Sequence, residues 1–437
     1  MNWRKPIIYT LLYASGSKIP RNLKEIRRVE KLSKEEIQKY QEAKLKKLIL
    51  YAYDNFPYYT KILGEAGVVR RGEVDLNNFN KIPILTKEII RREGPNLYSK
   101  DHKKRKSYEN TSGGSTGEPV RFLQDKYYDG WNIATKIYFK EYGDQKVGDK
   151  ELRLWGSERD LLEGKEKFSI RARNWLYNRK ELNSFKMSEK EMNEFVTFWN
   201  KFQPRWIEAY AQSIYEFSKF IKNNNLKIRS PKGILTSAGT LYPDMKQTIQ
   251  EVFNCPVYNR YGSREVGGIA CSNGKQNVLN VAFWHNYVEI LSKNHKEKTG
   301  KVYITTLNNF SMPLIRYEIG DIGEIGENER EIKRVVGRVS SFFITREGKK
   351  IDGGFFRQLL YYKDWIKNYQ IIQKDYNLIL YRIVPTKRIK LSKEEIEEIE
   401  KRVKKALGHD CKIKIEFIKK INLNKSGKYS YTKSEVS

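Results

Sequence analysis

Four short segments of the chain carry residue types that bind phosphates, nucleosides or metal ions. The first combines three glycines with four hydroxyl residues, in the order Thr111, Ser112, Gly113, Gly114, Ser115, Thr116, Gly117. Glycines let backbone N–H groups approach a phosphate closely, and hydroxyls donate further hydrogen bonds. The lysine that ends a Walker-type phosphate loop is missing. The segment alone is therefore also typical of a flexible surface loop.

The second segment, residues 258–265, directly follows a predicted strand and contains a tight glycine turn at Gly262 and Ser263. Ligands of α/β proteins bind where strands end in such turns. Tyr261 offers a planar face for a base, and Glu265 offers a hard oxygen ligand suited to Mg²⁺. An exposed turn with an ion pair would show the same residues.

Two later segments are weaker when taken alone. Gly320 precedes Asp321, whose carboxylate can accept two bonds from ribose hydroxyls, and Arg338 follows a glycine shortly afterwards. An ordinary strand and turn would also fit. Near the C-terminus, Lys428 follows a Ser-Gly pair, and this segment alone is typical of a basic tail.

The surrounding pattern indicates elements that could position these segments. Residues 233–236 and 256–258 are predicted strands, and residues 244–253 between them form a helical pattern, which favours α/β crossover units. The last hundred residues differ. They predict a hairpin (342–345 with 350–352), two strands (369–373 and 378–383), a helix over 392–407 capped by Ser392, and a final strand (411–417). This small α+β unit places a domain boundary near residue 337.

In this order the four segments resemble the adenylate-forming superfamily of acyl-CoA synthetases and ligases. The closest resemblance is to the phenylacetate–CoA ligase-like branch, which includes CapK-like capsule-polysaccharide proteins. Residues 55–59 match that branch's N-x-P-[FY]-Y segment, and residues 79–87 match its F-x-x-[IL]-P-[IL]-x-[TK]-K segment. The resemblance covers residues 32–431. It implies an α/β fold with parallel and mixed sheets in an adenylation domain (1–336), a hinge (337–341) and a small mobile α+β lid domain (342–437).

The resemblance also implies a reaction. A carboxylate attacks the α-phosphate of ATP to give an acyl-adenylate and pyrophosphate, and a thiol, usually that of coenzyme A, then displaces AMP. Because two anions must meet, cations and N–H groups have to offset their repulsion. The implied catalytic residues are Lys428, which bridges the α-phosphate and the carboxylate, and Glu265, which holds Mg²⁺. The implied nucleotide-binding residues are Thr111 to Gly117 for the β- and γ-phosphates, Ala238 and Gly239 beside adenine, Tyr261 stacked on it, Gly262 and Ser263 at the α-phosphate, and Asp321 and Arg338 at the ribose.

Several positions depart from the family pattern. Val120 stands where many members have lysine, Ile319 stands where the family has threonine, and the acidic hinge position is replaced by Ser340 and Ser341. The acidic residues expected before Glu289 are replaced by Phe283, Trp284 and His285. These departures bear on the second half-reaction and on the acid's identity more than on ATP binding.

The acceptor stays open between coenzyme A and an amino or hydroxyl group on a sugar precursor, and a non-catalytic nucleotide-binding scaffold is the alternative. We expect an apolar acid pocket that includes Trp155, Trp206 and Tyr210, and we expect His285 to be a packed strand residue.

Charge and the N-terminal segment complete the expectations. Lys and Arg total 84 against 53 Asp and Glu, a net charge of +31, which suits nucleic acid, anionic lipid or phosphate-rich ligands. The basic residues are dispersed, and no reader module is recognisable, so a nucleic-acid-binding protein is a lesser alternative with no specific nucleic acid expected. A resting contact with an anionic membrane surface is a further expectation.

Three cysteines are too few for a disulfide scaffold and fit the cytoplasm, and they provide no zinc site by themselves. Residues 1–17 are compatible with a signal peptide or a membrane-surface helix, and we predict an ordinary buried first helix.

Overall fold

The computed structural model divides into two compact units. It describes residues 2–112, 120–155, 168–184, 189–274, 278–292, 297–328, 330–338, 342–348, 350–352, 356–357, 359–360, 365–386, 392–421 and 431–436. The first unit comprises Met1–Ile319 and Gly323–Val335, and the second comprises Gly320–Ile322 and Val336–Ser437. The second unit thus begins close to residue 337. The hinge at 337–341 stays a prediction, because residues 339–341 lie outside the described part of the chain.

The helices of the first unit begin and end at recognisable signals. The predicted helix after Ser33 has a complete capping box: the Glu36 N–H donates to the Ser33 hydroxyl (3.2 Å), and the Ser33 N–H donates to the Glu36 carboxylate (2.8 Å). The helices are α1 (Arg4–Ala14), α2 (Ile19–Val29), α3 (Lys34–Asn55), α4 (Pro57–Glu65), α5 (Lys87–Glu93), α6 (Lys126–Glu141), α7 (Phe168–Leu176), α8 (Glu189–Phe202), α9 (Ala211–Asn223) and α10 (Pro243–Phe253).

The first four strands form two short antiparallel pairs, and the next five are parallel strands of a sheet. They are β1 (Val69–Arg70), β2 (Glu73–Val74), β3 (Tyr108–Thr111), β4 (Arg121–Gln124), β5 (Glu151–Trp155), β6 (Arg179–Asn183), β7 (Trp206–Tyr210), β8 (Gly233–Ser237) and β9 (Val257–Ser263). The next six are β10 (Gly267–Cys271), β11 (Leu279–Val281), β12 (Asn286–Leu291), β13 (Thr299–Thr306), β14 (Tyr317–Ile325) and β15 (Glu331–Arg338).

One large mixed sheet runs through eleven strands of the described chain, in the order β12-β13-β14-β15-β11-β10-β9-β8-β7-β5-β6. At one end of this sheet the strands β6, β5, β7, β8 and β9 are parallel to one another. This confirms the crossover units that the strand and helix pattern predicts. The pairs β9–β10, β10–β11, β11–β15 and β12–β13 are antiparallel. The α/β fold class is therefore as predicted.

Trp206 fills the core at the start of β7 instead of lining an acid pocket. Its side chain is buried, and a Cβ atom added to Gly143 or Gly233 would lie 2.1 or 2.3 Å from its ring. The two glycines therefore make room for the indole. The expectation that Trp206 belongs to the pocket is wrong. Trp155 and Tyr210, which end β5 and β7, do contact each other, with ring centroids 4.2 Å apart.

The second unit has the predicted small α+β architecture. Strands β16 (Phe342–Ile344) and β17 (Lys350–Asp352) form the antiparallel hairpin. A four-stranded sheet has the order β20-β19-β18-β21, from strands β18 (Ile366–Asp375), β19 (Leu378–Pro385), β20 (Lys412–Phe417) and β21 (Thr432–Ser434). Helix α11 (Lys393–Leu407) packs Val403 and Leu407 into this unit's core and is capped by Ser392 through a second capping box.

The first helix differs from its prediction. Helix α1 forms, but Ile8 is its one buried residue, and Ile7, Leu11 and Tyr13 are exposed. The ordinary buried helix is therefore the wrong prediction for this segment. Among the described residues, no helix is long and apolar enough to cross a bilayer.

Candidate active site

The Gly-rich segment is an insertion in a β-hairpin. Strands β3 and β4 pair antiparallel, with Thr111 opposite Arg121. The buried Ser112 closes the neck of the loop, because its N–H donates to the Val120 carbonyl (2.9 Å) and its hydroxyl accepts from the Val120 N–H (2.9 Å). The phosphate-cradling residues Gly113, Gly114, Ser115, Thr116 and Gly117 lie outside the described residues, so their role stays a prediction.

Gln124 connects this hairpin to the second predicted segment. The buried side chain ends β4, and its Nε2 donates to the carbonyl oxygens of Arg264 (2.9 Å) and Glu265 (3.3 Å). Its Oε1 accepts hydrogen bonds from Tyr108 (3.2 Å) and Asn110 (3.1 Å) on β3. One amide thus spans two segments that are about 140 residues apart in sequence. Sequence reasoning missed Gln124, since nothing in its local pattern indicates a partner so far along the chain.

The ends of β8 and β9 lie side by side. These strands are parallel, with Thr236 opposite Asn259, and the Ser237 hydroxyl donates to the Arg260 carbonyl (3.2 Å). Ala238 follows with a φ of +63°, a left-handed conformation that is costly for a residue with a Cβ. Such strain is concentrated at ligand-binding turns. The structure therefore brings the predicted turn at Ala238 and Gly239 next to the strand that carries Tyr261.

The glycine of the second segment is required by strand packing. A Cβ added to Gly262 would lie 2.4 Å from the Gly267 carbonyl oxygen, because β9 and β10 approach closely there. Tyr261 pairs with Ala270 in the same hairpin. In the turn that follows, the Val266 N–H donates to the Ser263 hydroxyl (3.4 Å). Strand packing alone therefore accounts for a glycine at position 262, without a bound nucleotide. The hairpin of β9 and β10 fixes the positions of Tyr261 and Ser263.

Glu265 is the chemically unusual member of this turn. The residue is 7% exposed, and its carboxylate makes no hydrogen bond or ion pair with the described residues. Its negative charge is therefore not compensated by a cation of the described protein. A hard divalent cation would supply that compensation. No group of three or more His, Cys, Asp or Glu side chains in the described chain could hold a metal alone, so a cation at Glu265 would need oxygen ligands from a substrate.

A buried ion-pair network underlies the strand ends. Glu208 on β7 pairs with Arg260 (2.8 Å), Arg153 (3.1 Å) and Lys140 (3.1 Å). Lys140 also pairs with Glu151 on β5 (2.9 Å). Burial raises the pKa of Glu208, but Arg153 and Lys140 outweigh that effect and hold the pKa well below its ordinary value. Glu208 therefore stays ionised and fixes Arg260, the residue before Tyr261.

The remaining predicted site residues belong to the second unit or lie outside the described chain. Asp321 is buried on β14 and follows Gly320, whose φ is +84°. Its contacts group it with the second unit. Arg338 ends β15, whereas Lys428, Ser340 and Ser341 lie outside the described residues. The ribose and phosphate roles of Asp321, Arg338 and Lys428 stay predictions.

The two branch-specific segments both anchor the chain that leads into β14. The Tyr59 hydroxyl donates to the Pro313 carbonyl (2.7 Å) and accepts from the Ile315 N–H (3.3 Å). Arg316 donates through Nη1 to the Ile82 carbonyl (2.8 Å) and through Nη2 pairs with Glu289 (3.1 Å). Sequence reasoning identified the segments but missed Arg316, which they hold in place.

His285 is a structural residue. It is fully buried, and its Nδ1 lies 3.2 Å from the Asn308 side-chain amide. Burial lowers the pKa of His285 to about 3, so the ring stays neutral at physiological pH. This confirms the predicted packing, whereas the predicted strand position is wrong, because His285 lies in the turn just before β12.

Comparison with known proteins agrees with this arrangement. The CapK C-terminal domain family matches residues 343–435. Protein CapK of Staphylococcus aureus is 27% identical over 406 residues, which cover 88% of this chain and 86% of the relative. A phenylacetate–coenzyme A ligase of Thermus thermophilus is 32% identical over 92 residues, 21% of each chain.

Solved structures show the same fold. A 2-hydroxyisobutyryl-CoA ligase in its postadenylation state superposes with a TM-score of 0.63 at 16% identity, covering 92% of this chain and 89% of that chain. The amide bond synthetase McbA of Marinactinospora thermotolerans gives a TM-score of 0.51 at 12% identity, covering 72% of this chain and 65% of that chain.

The fold is that of solved adenylate-forming ligases, and the comparisons support the resemblance of this chain to that superfamily. The similarity to Protein CapK and the match to the CapK C-terminal domain support the resemblance to the CapK-like group of the phenylacetate–CoA ligase-like branch.

Proposed function

We propose that the protein is an AMP-forming ligase that activates a carboxylic acid with ATP. The observation that carries the proposal is the junction at Gln124, which ties the hairpin bearing the Gly-rich loop to the turn bearing Glu265. A phosphate-directed loop and a carboxylate without a partner among the described residues are the two groups that a metal–triphosphate needs side by side. The relatives' printed names, ligases of coenzyme A and an amide bond synthetase, support the same reaction class.

In this proposal, a substrate carboxylate oxygen forms a bond to the α-phosphorus, and the bond to the bridging α–β oxygen breaks. Pyrophosphate leaves and the acyl-adenylate remains. An acceptor then attacks the carbonyl carbon, loses its proton, and displaces AMP. The residues of this chain bind and orient: the Gly-rich loop holds the β- and γ-phosphates, Tyr261 carries adenine, and Lys428 offsets the charge that builds up as the two anions meet.

Magnesium fits the chemistry of this site. The carboxylate of Glu265 has no protein partner among the described residues, and Mg²⁺ typically binds through one or two carboxylates together with substrate phosphates. When bound there, the ion would neutralise phosphate charge. Glu265 is the residue that would hold it.

A pyrophosphate-release assay with ATP, Mg²⁺ and a panel of acids tests the proposal. We expect acid-dependent release, and we expect Glu265→Gln to lower it by about a hundredfold, because the amide keeps the shape of the side chain but loses its charge. Glu109→Gln, on β3 of the adjoining hairpin, is the matched control and should leave release unchanged. Equal rates for Glu265→Gln and the wild type would refute the metal role.

The acceptor is the finer part of the proposal. We propose transfer to coenzyme A or to an amine or hydroxyl of a sugar carrier in surface-polysaccharide assembly, which the similarity to Protein CapK supports. Adding each acceptor class to the acid that releases most pyrophosphate should accelerate AMP formation with one of them. AMP binding without pyrophosphate release from any acid would favour the non-catalytic scaffold instead.

A further inference from the structure

Helix α1 presents an uncharged, largely apolar face to solvent. Between positions 6 and 14 all of its exposed residues are uncharged, namely Pro6, Ile7, Thr10, Leu11, Tyr13 and Ala14. Ile7 is 42% exposed and Leu11 is 50% exposed. A surface helix of a globular protein normally places charged and polar residues on that side. The exposed face of α1 therefore has the composition of a binding surface.

The other side of α1 fixes this orientation. Ile8 is buried, and Tyr9 and Leu12 pack against the core cluster that contains Trp131 and Trp206. The helix is therefore anchored along one side. Its outward face is part of the folded first unit, and rotating the helix would expose Ile8 in exchange.

Two exposed tryptophans extend the face at the start of the helix. Trp3 is 49% exposed and Trp175 on α7 is 64% exposed, and their rings meet edge to face at 6.4 Å. Trp3, Ile7 and Leu11 are spaced four residues apart and so follow one stripe. We call Trp3, Ile7, Leu11 and Trp175 the interfacial patch. Tryptophan is enriched where proteins meet the headgroup level of a bilayer.

A basic cleft adjoins the patch. It has a volume of about 300 Å³ and is lined by Trp3 of the patch together with Arg4, Lys150 and Arg205. Three cations thus face one carboxylate, Asp149, which is already engaged by Asn2 (3.0 Å) and by Arg205 (3.4 Å).

Arg4 has no carboxylate partner among the described residues. Its guanidinium lies 4.4 Å from the Trp3 ring and 5.7 Å from the Trp175 ring, and its buried Nε has no hydrogen-bond partner in the described part of the chain. No acidic residue occupies the first turn of α1, although the positive end of the helix dipole and Arg4 coincide there. An external anion would offset both charges.

We propose that the interfacial patch and the basic cleft together bind the surface of an anionic phospholipid bilayer. The patch enters the boundary between headgroups and acyl chains, as interfacial helices do, and the cleft takes a headgroup phosphate. A nucleic acid would offer no apolar partner for Ile7 and Leu11. A second copy of the chain would bring two sets of unneutralised cations together. The bilayer is the partner that supplies both apolar depth and negative charge.

Co-sedimentation of the full-length protein with vesicles tests the apolar half of the proposal. Vesicles of phosphatidylglycerol and phosphatidylcholine in equal amounts should bind the protein. Leu11→Glu should weaken that binding at least about tenfold, because the variant has no leucine side chain to transfer from water into the bilayer. The matched control is Leu291→Glu at the end of β12. It makes the same substitution at a leucine that is 43% exposed and should bind like the wild type.

The charged half has its own variant. Arg4→Gln should weaken binding to these vesicles about fivefold, since a basic side chain near an anionic surface contributes on that scale. Arg402→Gln, an exposed arginine on α11, should not. Unchanged binding of Leu11→Glu would overturn the proposal, because it would mean adsorption by net charge alone. Absent vesicle binding together with a dimer that Leu11→Glu dissociates would overturn it in favour of a second copy of the chain.

Discussion

At the scale of single residues, the structure separates groups that would touch substrate from groups that position them. Glu265 belongs to the first kind, and Gln124 belongs to the second, since it holds the Arg264 and Glu265 carbonyls without facing a ligand of its own. A positioning residue acts through geometry. Its loss should therefore change how a site binds its ion more than it changes the identity of the chemistry.

Gln124→Leu tests this distinction. The substitution removes the donor that Gln124 gives to the Arg264 and Glu265 carbonyl oxygens, so we expect about 1–3 kcal/mol lower stability and a higher Mg²⁺ concentration for half-maximal pyrophosphate release. Gln373→Leu is the control, because Gln373 is also buried and bonds the Ile344 backbone within the second unit. It should lose similar stability without the Mg²⁺ shift. The same Mg²⁺ dependence in both variants would make Gln124 merely structural.

The ion-pair network offers a second residue-level prediction. Glu208 and Glu181 both pair with Arg153, but the Glu208 side chain is 3% exposed and that of Glu181 is 39% exposed. Glu208→Gln leaves Arg153, Arg260 and Lys140 underneutralised in the interior, so we expect a loss of about 3–5 kcal/mol in the free energy of unfolding. Glu181→Gln should cost less than about 1 kcal/mol. Urea unfolding of both variants measures the difference, and equal costs would contradict it.

At the scale of elements, local patterns predict what local forces decide. The capping boxes at Ser33 and Ser392, the hairpin of β16 and β17, and the unit formed by β8, α10 and β9 all follow from residues close in sequence. Caps, turn residues and hydrophobic period act over a few positions, so the sequence carries them plainly.

Long-range partners could not be predicted in this way. Arg316 contacts the Ile82 carbonyl across 234 positions, and Trp206 takes the space that two distant glycines leave. The exposed face of α1 was missed for the same reason, because an apolar helix predicts burial unless its neighbours in space are known. Segments 55–59 and 79–87 indicated the resemblance to a family, whereas their physical role emerged only from what they contact.

The ion pair of Arg316 with Glu289 leads to a prediction about how stability depends on pH. Burial raises the pKa of Glu289, and Arg316 opposes that effect. In Arg316→Met the pKa should rise further, so the folded protein holds a proton that the unfolded chain has released. The free energy of unfolding should then fall as the pH rises from about 5 to about 8, more steeply than in the wild type.

Unfolding by urea at several pH values measures this slope. The double variant Arg316→Met, Glu289→Met provides the control, because it removes the charge that Arg316 leaves behind and should restore the wild-type slope. An unchanged slope in the single variant would mean that Glu289 finds another cation.

At the scale of the whole molecule, net charge alone does not define the function. Many of the 84 basic residues form ion pairs at the surface, as Arg402 does with Glu398 and Lys222 with Glu251. Such pairs contribute little stability individually. The net charge of +31 indicates a binding site only where a cation lacks a carboxylate partner, as Arg4 does beside the interfacial patch. Both proposals therefore place anions at particular cations.

The two units have separate parts in the proposed reaction, and Lys428 allows them to be tested apart. Lys428 would bridge the α-phosphate and the carboxylate in the first half-reaction, and it would have to leave before the acceptor could reach the adenylate. Lys428→Ala should therefore lower pyrophosphate release by at least about a hundredfold. Acyl transfer from the chemically prepared adenylate of the same acid should stay within a few-fold of the wild-type rate, because that step does not need the bridging ammonium. Lys425→Ala, three residues earlier in the same segment, is the control for the loss of one positive charge and should leave both half-reactions intact. If Lys428→Ala slowed the two half-reactions equally, the lysine would serve the stability of the second unit, and adenylation would have to depend on the cations of the first unit alone.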